Sequence, residues 1–96
     1  MNNNVPKIYA RDWNKVYFKG EIINGADAET FENMGDGYGK DWKKVYYDGK
    51  EINNADVETF IIMGYGYAKD WKYVYFNGEI IKDAEVESFQ IIEKIK

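Results

Sequence analysis

Tyr38-Gly39-Lys40-Asp41-Trp42-Lys43-Lys44-Val45-Tyr46-Tyr47-Asp48-Gly49-Lys50-Glu51-Ile52 decides how the whole chain is read. At its centre, Asp48-Gly49 marks a two-residue hairpin loop, because both residues of such a turn need positive φ. A loop of that length fixes the register. Tyr47 then stands opposite Lys50, Tyr46 opposite Glu51 and Val45 opposite Ile52. Side chains alternate across a strand, so Val45, Tyr47 and Ile52 share one face, the predicted core face. Tyr46 and Glu51 fall on the other face, which is mixed and predicted to be partly exposed. Upstream, Asp41-Trp42-Lys43 reads as a tight polar turn, preceded by a short strand that begins at Tyr38.

Outward from this stretch, the same pattern returns at a period of 29 residues. The chain divides into Tyr9–Gly37, Tyr38–Gly66 and Tyr67–Lys96 after a lead-in over 1–8, and copies one and two are identical at 17 of 29 positions. Such self-similarity marks a repeat architecture, here a single domain of three repeats over 1–96. Asp12, Trp13, Val16, Tyr17, Gly20, Ile23, Ala26 and Phe31 each recur in both later copies. The hairpin loops of copies one and three are Lys19-Gly20 and Asn77-Gly78. Val16, Phe18, Ile23, Ala26 and Phe31, with their equivalents, are predicted to form one continuous core. One copy cannot bury its own face, so the three together make a minimum stable unit.

After each hairpin the pattern changes. Ala26-Asp27-Ala28-Glu29-Thr30-Phe31-Glu32-Asn33-Met34-Gly35 predicts a short helix. Asp27 and Asp56 stand where an N-cap belongs, and Gly35 and Gly64 where a C-cap glycine belongs. Phe31 and Met34, Phe60 and Met63, and Phe89 and Ile92 are spaced by three, as on one helix face. Copy three lacks both linker glycines and is expected to continue as a longer helix over 90–96, since end copies are atypical. The fold class expected is therefore α+β: a tandem repeat of short antiparallel β-hairpins or meanders, each followed by a short helix.

Composition narrows the function. The 96 residues carry a net charge of −4, with a pI near 4.8. That balance argues against a general nucleic-acid binder, which needs a basic field. The chain holds no Cys and no His, which excludes disulfides, Cys-based zinc sites and histidine general bases. No apolar run reaches the roughly 18 residues of a transmembrane helix. Met1 to Lys7 has no apolar signal-peptide core, so a cytoplasmic location and no membrane association are expected.

Several motifs invite a chemical reading. Asp12/Asp41/Asp70 and Glu29/Glu58/Glu87 form acidic rows. They recur in every copy, as turn-forming and helix-start residues do, whereas an active site usually occurs once. Gly35-Asp36-Gly37 and Gly64-Tyr65-Gly66 lack the Lys-Ser or Lys-Thr of a phosphate loop and read as flexible inter-repeat turns. Ser88 has no histidine to activate it. No enzyme activity, metal or cofactor is expected.

The copies resemble the DKNYY repeat family of bacterial and phage-associated proteins. The match is carried by Asp41-Trp42-Lys43-Lys44-Val45-Tyr46-Tyr47-Asp48-Gly49, by Ala55-Asp56-Val57-Glu58-Thr59-Phe60 and by Gly25-Ala26-Asp27. It runs from Tyr9 to about Phe89 and implies architecture, with no catalytic residues to carry over. One departure stands out: the lysine of the family's turn is Trp13, Trp42 and Trp71 here. A turn position that takes lysine is normally solvated. These rings either seal the repeat junctions or form an aromatic row. The row is the reading adopted, with Trp13, Trp42, Trp71, Tyr17, Tyr46 and Tyr75 as candidate contacts for a protein partner, because Trp and Tyr are enriched at binding hot spots. Carbohydrate binding by the row is a minor reading, as is base stacking. An alternative function is a small acidic, phage-type inhibitor of a host defence enzyme such as a nuclease.

Overall fold

The computed structural model describes residues 6–94, and every regular element among them is a strand. Repeat one contributes β1 (Tyr9–Arg11), β2 (Val16–Phe18) and β3 (Glu21–Ile22). There follow β4 (Glu32–Gly35), β5 (Tyr38–Lys40), β6 (Val45–Tyr47) and β7 (Lys50–Glu51), then β8 (Ile61–Gly64), β9 (Tyr67–Lys69), β10 (Val74–Phe76) and β11 (Glu79–Ile80). They make three antiparallel meanders, of three, four and four strands. The extra strand of the second and third sheets, β4 and β8, comes from the tail of the preceding repeat. The second and third sheets therefore straddle a repeat boundary.

The hairpins follow the register read from the sequence. Tyr46 pairs with Glu51 and Tyr47 with Lys50, and the Ile52 N–H donates to the Val45 carbonyl at 2.8 Å. Both loop residues have positive φ in every copy, with Asp48 at 49° and Gly49 at 81°. Lys19, a weaker turn former, adopts φ 51° beside Gly20.

The expected helices are absent among the described residues, and the chain there is all-β rather than α+β. Asp27 does cap a turn: its carboxylate accepts from the Thr30 N–H at 3.0 Å, and the Phe31 N–H donates to the Asp27 carbonyl at 3.1 Å. That turn stops after one period. Glu32–Gly35 instead pairs antiparallel with Tyr38–Lys40 through a bulge near Asn33 and Gly35. Two apolar residues three apart span only one helical period, too short a pattern to separate a capped turn leading into a strand from a helix start. Gly35 and Gly64 are strand ends with φ of 99° and 104°, not helix caps. Gly35-Asp36-Gly37 is a tight reversal between β4 and β5, not a loose linker. In copy three, residues 90–94 form no helix, and the rest of the longer helix expected there lies outside the described residues, as does most of the lead-in. No described helix is long and apolar enough to cross a membrane.

The core is divided rather than continuous. Tyr9, Val16, Phe18, Ile23, Ala28 and Phe31 pack together with Tyr46 of the next repeat. Tyr38, Val45, Ile52 and Phe60 pack with Ala68 and Tyr75 of the third. Ala26 and Ala55 lie at the edges of these clusters, half-buried. Each cluster thus reaches across a junction. Phe31 meets the Tyr46 ring at 5.5 Å and Phe60 meets the Tyr75 ring at 5.1 Å.

A polar clasp reinforces each junction. Asp41 is buried and accepts four hydrogen bonds: from the N–H groups of Asp27, Lys43 and Lys44 and from the Tyr46 hydroxyl. Asp70 does the same with Asp56, Lys72, Tyr73 and Tyr75. The Thr30 hydroxyl donates to Asp27 and accepts from the Trp42 N–H at 3.0 Å, and Thr59 repeats this with Asp56 and Trp71. On the far side, the Tyr9 hydroxyl donates to the Gly37 carbonyl at 2.7 Å and accepts from the Gly49 N–H at 3.1 Å. Burial pushes that phenol's pKa up to about 12.

Two outcomes follow from this packing. Phe60→Ala removes a ring wedged between Tyr38 and Tyr75 and should cost about 3–5 kcal/mol of unfolding free energy in urea; a loss below about 1 kcal/mol would place the core elsewhere. Acid should loosen the clasps. Burial raises the Asp41 carboxyl's pKa, but the hydrogen bonds from Asp27, Lys43, Lys44 and Tyr46 outweigh it and hold the group below the ordinary range. Asp70 is lowered in the same way. A carboxyl depressed on folding contributes stability above its unfolded pKa of about 3.9, and that contribution is lost as pH falls through the folded value. Asp41→Asn should lower stability at neutral pH by about 2 kcal/mol, since hydrogen bonds to a charged group are lost, and should flatten the acid limb of a stability–pH curve. An unchanged acid limb would remove Asp41 from this role.

Candidate functional site

The site is built from the turn that each buried aspartate closes. The Asp41 carboxylate takes the Lys43 and Lys44 N–H groups at 3.0 and 2.8 Å, and its own N–H donates to the Lys44 carbonyl at 3.0 Å. Trp42 sits at the tip, its amide held by Thr30 across the junction. The backbone is fixed on both sides while the indole is left outside. Trp13 is 96% exposed, and Trp42 and Trp71 are each 67% exposed. A ring that sealed a junction would be covered, so the rings do not act as staples; their backbone amides at 42 and 71 do.

Lysines accompany two of the rings. Lys43 Nζ lies 5.8 Å from the centre of Trp42, and Lys72 Nζ lies 6.0 Å from that of Trp71. At exposed sites such cation–π pairs contribute about 0.5–1 kcal/mol. The sequence reading singled out the rings and missed these partners, although a lysine directly after Trp42 and Trp71 was the available signal. Copy one has Asn14 there. Around Trp13 the surface instead forms a hollow of about 740 Å³ lined by Arg11, Asp12, Ala28 and Glu29.

The tyrosines divide. Tyr17 is half-buried beside Trp13's turn and donates to Asp12. Tyr46 and Tyr75 are buried, at 2% and 0% exposure, so they are not surface contacts. The face they occupy is covered by the Phe31 and Phe60 rings of the preceding repeats, and their hydroxyls are spent on Asp41 and Asp70. Burial pushes both phenols far above their ordinary pKa, with Asp41 and Asp70 adding to the rise. Of the six residues named from sequence, the structure brings Trp13, Trp42, Trp71 and, in part, Tyr17 to the surface. Among the described residues no group of three or more Asp or Glu side chains is placed to hold a metal ion.

The comparisons with known proteins agree with the repeat. The model of the DKNYY family matches residues 2–48 and 38–96, two overlapping segments that between them span all three copies. No curated protein and no solved structure matches the chain. On the strength of that match the chain belongs to the DKNYY family.

Proposed function

We propose that this chain is a non-catalytic protein-binding repeat module whose contact surface is the set of turn tips carrying Trp13, Trp42 and Trp71, with Tyr17 as a flanking contact. The observation that carries this reading is large indole exposure on a held backbone. Leaving such rings in water forgoes burial worth about 25 cal/mol per Å², yet the tips are closed by hydrogen bonds rather than left to fold over. A backbone held in advance loses little entropy when a partner covers the ring it carries. The lysines beside Trp42 and Trp71 suit a partner surface that mixes apolar groups with carboxylates. Tyr46 and Tyr75, being buried, serve this surface only by supporting Asp41 and Asp70, which hold the tips.

Stability and binding should separate. Trp42→Ala should change unfolding free energy by less than about 1 kcal/mol, as for most exposed positions. The triple variant Trp13→Ala, Trp42→Ala, Trp71→Ala should stay folded and lose capture of whichever host protein the wild type enriches at near-equal stoichiometry. Direct titration of that purified protein should then show a loss of about 2 kcal/mol or more per anchoring ring. Equal binding by wild type and triple variant would end the proposal.

A further inference from the structure

The internal junctions show what one repeat offers the next. On its trailing face it presents a ring and a hydroxyl to the following hairpin loop. Gly49 lies on Phe18 and Gly78 on Tyr47, so closely that a Cβ would stand 3.0 and 2.7 Å from those side chains. The N–H groups of Gly49 and Gly78 donate to the Tyr9 and Tyr38 hydroxyls. The same face supplies the Asp27–Thr30 turn, which bonds Asp41 and the Trp42 amide, and a tail that becomes β4.

Among the described residues, repeat three carries this trailing face largely uncovered. Phe76, the counterpart of Phe18 and Tyr47, is 42% exposed where Phe18 is 8% exposed. Residues 90–93, the counterparts of β4 and β8, form no strand. Repeat one carries the complementary face, also uncovered by the described residues. A Cβ on Gly20 would meet nothing within 4 Å. Asp12 and Trp13 line an open hollow where Asp41 and Trp42 hold the turn of the preceding repeat. Among the described residues, sheet one has three strands where the others have four, and the open place is beside β1.

The reversal that folds β4 onto β5 is not repeated at residues 6–8. Gly35, Asp36 and Gly37 take φ of 99°, 57° and 90°, and their counterparts are Pro6, Lys7 and Ile8. Proline is locked near −65°, and a β-branched residue disfavours positive φ. Lys7 instead reaches the second repeat, donating to the Tyr47 hydroxyl at 2.8 Å, with Asp48 at 3.5 Å.

We infer that the chain associates head to tail with a second copy of itself. The Lys19-Gly20 loop of one copy seats on Phe76 and Tyr67 of the other, whose tail 90–93 joins β1 as the fourth strand. Gln90, Ile91 and Glu93 face Arg11, Ala10 and Tyr9, as Glu32, Asn33 and Gly35 face Lys40, Gly39 and Tyr38. Glu85 and Ser88 replace Asp27 and Thr30 in this contact. Asp12 needs only the backbone N–H of residue 85, and a serine hydroxyl accepts the Trp13 N–H as threonine does. Such a contact is heterologous, so it closes a ring or extends a chain.

Sedimentation equilibrium over a concentration series into the millimolar range tests this. The weight-average mass should climb above the monomer's 11.3 kDa. Phe76→Tyr, which installs the residue found at position 47, should preserve the rise. Phe76→Lys should suppress it, with near-ultraviolet circular dichroism reporting the fold. Gln90→Pro should also suppress it, because Gln90 takes the place that Glu32 holds opposite Lys40 and proline cannot donate to that ladder; it decides the matter if Phe76→Lys does not fold, since residues 90–94 belong to no element of the monomer. The triple Trp variant should associate like the wild type, so this inference and the partner-binding proposal fail separately. A mass fixed at the monomer value, or wild-type association by both suppressing variants, would overturn it.

Discussion

Everything in this fold depends on a carboxylate shared between neighbours. Asp41 and Asp70 each close their own turn with one oxygen and take a backbone N–H of the preceding repeat with the other. A buried carboxylate is costly unless it is fully hydrogen-bonded. These have four donors each, and one of the four belongs to another repeat. A repeat placed without its predecessor would leave that bond unmade, so the local turn and the inter-repeat contact stabilise each other. Asp12 shows the difference: it keeps its local bonds to Asn14, Lys15 and Tyr17 but stays exposed.

This arrangement explains why each sheet is shorter than a self-sufficient one. Strands of two to four residues bury little on their own. The aromatic side chains compensate by crossing junctions. The Tyr9 and Tyr38 hydroxyls each join the end of their own repeat, 28 residues away, to the hairpin loop of the next, 40 residues away. A phenylalanine there would fill the space but leave a glycine N–H and a glycine carbonyl less satisfied. The high tyrosine content therefore belongs to the junctions.

What could be read in the sequence was what is decided locally. The Asp-Gly and Asn-Gly loops determine their own φ values, and a two-residue loop leaves one register, so the hairpin pairing and the core positions of Val16, Val45 and Val74 followed directly. That the helix expected over 26–35 is absent was not legible, because Asp27 and Thr30 make a true capped turn and only the pairing of Glu32–Gly35 with the next repeat shows that it does not continue. Tyr46 and Tyr75 were placed at the surface for a related reason. A single hairpin exposes that face, and the phenylalanine covering it comes from the preceding copy. At the turn tips the sequence showed the indoles, while the threonine that holds the amide lies 12 residues upstream; Thr30 and Thr59 recur at the repeat period, but that spacing does not tell which backbone amide they hold.

The three tryptophans are consequently not equivalent, although the repeat makes them look so. At Trp42 and Trp71 the amide is bound by Thr30 and Thr59, the preceding aspartate is buried, and a lysine lies near each ring. At Trp13 the aspartate is exposed, Asn14 replaces the lysine, and the ring stands almost wholly in water. In a linear array, stability is a sum over repeats and their nearest-neighbour contacts. The middle repeat, contacted on both sides, is therefore the most constrained, and the tip it carries has the least freedom to lose on contact. In the proposed binding role, Trp42 would accordingly be the ring best prepared to anchor a partner. Trp71 shares the same clasp on an end repeat with an uncovered trailing face. Trp13 reaches the same state only when another repeat occupies the hollow beside it.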